Sequence, residues 1–342
     1  MIPHSRPLFG KAFSDALIRI VESGHVAMGA ETISLEQEVA RRIQKRCAVA
    51  VDSGSSAITL ALKALAQKKG GKRVGIPAYT CSSVLYAVLA AGYEPVCMDC
   101  GEDLRLLRDE ALKQAASLDV AIIVHPFGMV EPMAAEAWPC LMIEDIAQAS
   151  GAMLNGKPVG CFGDVAVASF YATKPWGGAY GGMLASDDQR FCERIQAMRD
   201  PDGAVQLDGY VGHHQLSDLH AGMANVRLKS ADDELNGRET LSYKMDTWFD
   251  GSAIAPVSGI HQGNHYRYIV RTAGAADFFM SQLRDYNVTA ARPVTMPISR
   301  LLGTSAPGAE RAWLDMVSLP MLVDISESEF KQLKEAVKSC IN

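Results

Sequence analysis

The chain contains no stretch of about 18 uncharged apolar residues, the length that a membrane-crossing helix requires. Basic residues are in the minority, with 33 Lys and Arg against 39 Asp and Glu, a net charge of −6, and no long basic run. Bulk attraction to nucleic acid is thereby excluded, although a single basic pocket for a phosphate is not. Neither G-x-x-x-x-G-K-[ST] nor G-x-G-x-x-G occurs, so the usual nucleotide loops are missing. The opening MIPHSRPLFGKAFSDAL has neither the basic nor the apolar region of a signal peptide, and a cytoplasmic protein is expected. Cys97 and Cys100 form the one C-x-x-C, with no second pair at zinc spacing, so no metal is expected. The eight cysteines, mostly within apolar runs, are expected to be free, reduced thiols.

What is present suits a globular protein: 48% hydrophobic and 21% charged residues over 342 positions, enough for two units. Short apolar runs alternate with helical patterns. Strands are expected at Cys47–Asp52, Arg73–Ile76, Pro95–Asp99, Val120–Val124, Leu141–Asp145, Val165–Phe170 and Gly182–Ala185. Helices are expected over 33–46, Ala57–Lys68, Ser82–Ala91 and Asp187–Arg199. Continuously apolar strands separated by helices indicate a mostly parallel sheet covered on both faces. Residues 200–214 read as a loop. Beyond them come a long helical segment from Leu216 to about Thr247, strand-like His265–Val270, helix Gly274–Tyr286, strand-like Asn287–Ala290 and helix Glu327–Lys338. The expectation is a large α/β unit over 1–240 and a smaller C-terminal α+β unit over 241–342.

Three motifs could carry chemistry. Ser53-Gly54-Ser55-Ser56 follows a strand and opens a helix, where free backbone N–H groups and small hydroxyls make an anion cradle; ordinary N-capping would use the same residues. Glu144-Asp145 ends an apolar strand, where a carboxylate can face a ligand at the sheet's carboxyl edge, or merely solvent. Gln148 follows one turn later. Lys174 comes after the strand ending Ser169-Phe170 and before a glycine-rich turn, a setting that can activate an amine, although a lone lysine is ordinarily solvated.

Together these motifs resemble the DegT/DnrJ/EryC1/StrS family of pyridoxal-phosphate aminotransferases. The likeness spans most of the chain. It runs through GHVAMGAETISLE, VDSGSSAITLALKAL, IPAYTCSSVLYAVLAAGYEPVCMD and VHPFG, and is strongest in IEDIAQASGAMLNGKPVGCFGDVAVASFYATKPWGGAYGGMLAS. The resemblance implies fold type I, the aspartate-aminotransferase-like fold, with a large parallel-sheet α/β/α domain and a small C-terminal α+β domain. By position, Lys174 corresponds to the lysine that forms the internal aldimine with pyridoxal 5'-phosphate, and Asp145 to the acid that pairs with the pyridine nitrogen. Gln148 matches the contact on the side of the ring's 3-hydroxyl, and Ser55, Ser56 and Ser169 match the phosphate contacts. Cys81 stands where the family places the aromatic that stacks on the ring, with Tyr79 two residues before it. His213 replaces the asparagine that reaches a neighbour's cofactor phosphate. The family's His–Tyr pair is absent from Ala290–Val294. The implied reaction is ping-pong transfer of an amino group from glutamate to a keto-sugar, nucleotide-linked, in a homodimer with shared active sites. Dehydration of a sugar, typical where histidine replaces the lysine, and a non-catalytic binding protein of the same fold are the alternatives.

Overall fold

The computed structural model describes residues 1–66, 72–202 and 210–341. The N-terminal part folds into helices α1 (Lys11–Glu22) and α2 (Ala30–Arg42), strand β1 (Cys47–Val51), helix α3 (Gly54–Ala66), strand β2 (Arg73–Pro77), helix α4 (Ser82–Ala91) and strand β3 (Glu94–Met98). Helix α5 (Arg108–Ala115), strands β4 (Val120–Val124) and β5 (Leu141–Asp145), and a short hairpin of β6 (Met153–Leu154) and β7 (Lys157–Pro158) follow. Strands β8 (Val165–Ser169) and β9 (Gly182–Ser186) lead into α6 (Gln189–Arg199) and the 29-residue α7 (Asp218–Asp246). Residues 67 and 68 of the expected helix Ala57–Lys68, and 203–209 of the expected loop, lie outside the described residues.

Seven strands form one sheet in the order β1-β9-β8-β5-β4-β2-β3. Only β9 runs antiparallel to its neighbours, β1 and β8. All five residues of β4, β8 and β9 are buried, as expected of strands covered on both faces. The carboxyl ends of β1, β2, β4, β5 and β8 therefore share one edge of the sheet. Helix α4 ends where the sequence places it, because Gly92 takes the left-handed conformation (φ 86°) that closes a helix.

Helix α2 begins three residues before the expected Ile33. The cause is remote: the Asp218 carboxylate accepts hydrogen bonds from the backbone N–H groups of Gly29, Glu31 and Thr32 at 2.8–3.1 Å. An acid at a helix N-terminus satisfies orphan donors and complements the dipole, but this one comes from the start of α7.

The C-terminal part adds β10 (Ala255–Pro256), β11 (Tyr268–Arg271), α8 (Ala276–Asp285), α9 (Ile298–Leu302), α10 (Pro307–Asp315), β12 (Met316–Leu319) and α11 (Glu327–Ile341). Strands β10, β11 and β12 form a second, three-stranded sheet. The expected strand at Asn287–Ala290 is reduced to one isolated bridge, which joins Val288 to Ile2 at the other end of the chain. Ile2 thus packs in the core of the C-terminal sheet. Helix α7 serves both parts: Ala221–Ala231 face the main sheet's core, and Leu241 and Met245 face the other.

The cysteines depart from expectation. Cys47, at the start of β1, and Cys192, in α6, form a disulfide with Cα atoms 6.4 Å apart; the other six form no disulfide. Helix α6 crosses the amino end of β1, a contact between residues 145 apart in sequence that no local pattern reveals. Burial beside Asp99 pushes the Cys100 thiol up to about 12, which disfavours the thiolate that a metal would need. Among the described residues, no helix is long and apolar enough to cross a membrane.

Candidate active site

The three motifs meet at the carboxyl edge of the main sheet. Val51 and Ser169 both pair with Gly182, so the ends of β1 and β8 flank the start of β9. A Cβ on Gly182 would lie 2.3 Å from the Ser53 carbonyl, and one on Gly54 would lie 3.1 Å from the Ser169 Cβ. Glycine at both places lets the Ser-Gly turn close onto Ser169. The Ser53 hydroxyl accepts from the Ser56 N–H at 3.1 Å and donates to the Ser56 hydroxyl at 3.0 Å. Capping and cradle are therefore compatible readings of one turn: Ser53 caps, while Ser55 makes no side-chain hydrogen bond among the described residues.

At the end of β5 the pleat sends Glu144 and Asp145 to opposite faces. Glu144 is fully buried and accepts from His125 Nε2 at 3.0 Å and from the N–H groups of Gly160, Phe162 and Gly163 at 2.5–2.9 Å. Burial opposes its ionisation, but the His125 bond and the backbone donors outweigh it and hold its carboxyl below the ordinary range. His125 Nδ1 accepts from the Glu131 N–H at 2.9 Å, so Nε2 carries the proton donated to Glu144. Glu144 is a tie between β5 and the 160–163 loop, not the solvated strand end that its position allowed.

Asp145 is also buried, but its Oδ1 accepts only from the Ala147 N–H at 2.9 Å, and Oδ2 has no hydrogen-bond partner among the described residues. Burial raises its pKa, against the pull of Ala147, Lys174 and His125. A buried carboxylate with an open oxygen near an amine suits a protonated ring nitrogen. Gln148 Oε1 accepts from the Phe127 N–H at 3.1 Å, which leaves the amide NH2 as the end available to a phenolic oxygen. Phe127 holds a left-handed backbone (φ 57°) to make that bond.

Lys174 sits half-buried on the turn after β8, fixed through its backbone to Tyr171 and Gly177 at 2.8 Å each. Its Nζ lies 5.5 Å from the centroid of the Tyr266 ring. Cys81 is exposed at the start of α4. Tyr79 points the other way: it is buried edge-on against Phe127 and donates to the Ala312 carbonyl at 3.4 Å, so it is no substitute for a stacking aromatic. His213 is exposed, whereas His214 turns inward to Asp52 Oδ2 at 3.3 Å and Tyr210 at 2.8 Å.

Sequence reasoning missed Tyr266 and its neighbour Arg267, which approach Lys174 from the loop before β11. The only local signal is the polar and aromatic run Asn264–Tyr268 ahead of an apolar strand. Asn264 anchors that loop by donating to the carbonyls of Gln148 and Ser150 at 3.2 and 3.0 Å.

A phosphate cradle, an open buried carboxylate, an amide donor and a held lysine together fit pyridoxal phosphate. Comparison with known proteins agrees. The DegT/DnrJ/EryC1/StrS aminotransferase family model matches residues 7–338. The aminotransferase TlmJ from Streptoalloteichus hindustanus is 23% identical, with a TM-score of 0.91 over 99% of this chain and 98% of that one. DesV from S. venezuelae, solved with a ketimine intermediate, is 25% identical, with a TM-score of 0.89 over 98% of both chains. The pyridoxal-phosphate form of Spr1654 from Streptococcus pneumoniae, designated a sugar aminotransferase, is 20% identical, with a TM-score of 0.87 over 99% and 98% of the two chains. With nearly its whole length matched by the family model, this chain belongs to the DegT/DnrJ/EryC1/StrS aminotransferase family and is a pyridoxal-phosphate-dependent aminotransferase of fold type I.

Proposed function

We propose that the enzyme moves an amino group from glutamate to a nucleotide-linked keto-sugar by a ping-pong route, in the cytoplasm and as a homodimer. The sugar class is supported by the designation of the S. pneumoniae relative and by family membership. The observation that carries the catalytic reading is the buried Asp145 carboxylate, with one backbone donor and within electrostatic reach of Lys174. Lys174 and Asp145 are the catalytic residues; Ser55, Ser56, Gln148, Ser169, Cys81 and His213 contact the cofactor. The working division of the chain is between residues 240 and 241, within α7.

Pyridoxal phosphate, when bound, supplies the electron sink. Asp145 keeps a ring nitrogen protonated by offering its open carboxylate oxygen. Gln148 offers N–H donors to the ring's oxygen substituent. Ser55, Ser56 and Ser169 orient the phosphate through hydroxyls and the α3 N-terminus. Lys174 Nζ accepts the proton from the donor's α-carbon and later returns one to the carbon that gains nitrogen. His213, exposed on its own chain, serves the site of a second copy in this reading, while His214 is engaged by Tyr210 and Asp52 of its own chain.

Two measurements test this reading. Purified, cofactor-loaded protein should lose its yellow absorbance on addition of glutamate and regain it with the right keto-sugar nucleotide; failure with every amino donor would overturn it. Mixing inactive Lys174→Ala chains with His213→Ala chains should restore partial activity if sites are shared. Full activity of His213→Ala alone would refute the shared site.

A further inference from the structure

A small cavity of about 40 Å³ opens beside Lys174, with Ser5, Thr173, Tyr266, Arg238 and Arg267 in its walls. A single water needs roughly 10–15 Å³ by this measure. The space suits a carboxylate or phosphate group and is too small for a sugar ring.

Its walls carry unbalanced charge. Three guanidiniums, those of Arg227, Arg238 and Arg267, share one lining carboxylate, Glu234. Glu234 is committed to Arg227 and reaches Arg238 only at 3.4 Å. Arg6 also lines the cavity but is matched by Asp324 and Glu329 at 2.9 and 3.0 Å. Arg267 donates to neutral acceptors, Ser5 Oγ at 2.6 Å and Tyr266 OH at 2.9 Å, and packs over the Tyr266 ring at 4.4 Å. Among the described residues it has no carboxylate partner. Burial and the Arg267 charge push the nearby His4 down to about 3. Arg238 is lowered too, by burial foremost and by Arg227 and Arg267, against Glu234. A partly desolvated guanidinium without an anion is costly, and the planar fork of arginine is held here ready for a two-oxygen ligand.

We propose that this cavity is an oxyanion subsite in which Arg267, backed by Arg238, holds a carboxylate or phosphate group of a substrate whose reacting carbon lies at Lys174. The identity of the occupant as a substrate rests on the aminotransferase reading; the anion site itself does not. Both the amino-acid donor and the acceptor could bring such a group.

Isothermal titration of the holoenzyme with glutarate, which has no amine to react, and with inorganic phosphate tests the site directly. Arg267→Gln should weaken binding of at least one probe by about 10–100-fold, and Arg267→Lys, which keeps the charge but not the fork, should fall between. Should the Gln variant fail to fold, the Lys variant alone must still show a loss. Absence of binding to the native enzyme, or unchanged affinity for both probes in the variants, overturns the proposal. The source is read from cofactor absorbance with glutamate alone. A raised half-saturation in Arg267→Gln assigns the site to the donor; an unchanged one, with phosphate binding lost, assigns it to the acceptor. If the native enzyme reacts with no amino donor but Arg267-dependent glutarate binding persists, the site stands and the functional reading falls. If transamination proceeds and neither probe depends on Arg267, the reverse holds.

Discussion

The two faces of the main sheet at the end of β5 carry adjacent acids with opposite duties. On one face Glu144 is saturated by four donors and tied to His125 and the 160–163 loop. On the other, Asp145 has one backbone donor and an open oxygen near Lys174. The same contrast separates two buried or half-buried lysines. Lys45 is consumed by the carbonyls of Cys161 and Gly163 and by Asp187, whereas no hydrogen bond to Lys174 Nζ is made by the described residues. A charged group whose valences are filled by the protein holds the fold together; one left open at the carboxyl edge is available for chemistry.

Substitution at the two acids should break this comparison most sharply. Asp145→Ala is expected to lower turnover by about 10²–10³-fold, as loss of one preorganised electrostatic partner typically does, with little change in unfolding midpoint; steady-state kinetics and denaturant melts report the two effects separately. Glu144→Ala is expected to cost about 3–5 kcal/mol of stability, because it leaves His125 Nε2 and the N–H groups of Gly160, Phe162 and Gly163 unpaired. Its readout is the urea midpoint. A mild outcome there would return Glu144 to the solvated strand end that the sequence allowed.

The amino edge of the sheet offers a smaller effect. Reducing the Cys47–Cys192 link should lower stability by about 2–4 kcal/mol, and thiol titration of the denatured, unreduced protein should find six thiols rather than eight. A count of eight would show the pair to be open.

The smallest effect has the opposite sign on the two acids. Glu144 has a folded pKa below the ordinary carboxylate value of roughly 4.3. Its stabilisation is complete above that value and is lost as pH falls through the lower folded one. Asp145 has a raised folded pKa, so its ionisation costs stability as pH rises through that value, and it stabilises fully only below the unfolded value of roughly 3.9. In the cofactor-free protein at pH 7, Asp145→Asn should therefore raise stability by about 0.5–2 kcal/mol, whereas the cofactor-loaded variant should lose turnover. Melts of both cofactor-free proteins across pH 4–8 check the sign.

The sheet was legible because its strands are short, apolar and bounded by turn residues; Val120–Val124, Leu141–Asp145 and Ser82–Ala91 match expectation at both ends. The proposed site was legible where its candidate residues end or follow a strand locally, at Ser53–Ser56, Asp145 and Lys174. What escaped depends on contacts distant in sequence. Asp218 caps α2 from α7, Cys192 reaches Cys47 from α6, and Ile2 bridges to Val288 and packs in the C-terminal core. Tyr266 and Arg267 come to Lys174 only because Asn264 pins their loop to the β5 turn. No periodicity in a single segment encodes such meetings.

The claim that the carboxyl edge holds a working pair of Asp145 and Lys174 is tested most directly by borohydride reduction of the pyridoxal-phosphate-loaded protein, followed by peptide mapping. The pyridoxyl group should be recovered on Lys174 alone, in the peptide that contains Ser169–Trp176. Recovery on Lys45 or any other lysine, with Lys174 unlabelled, would contradict it.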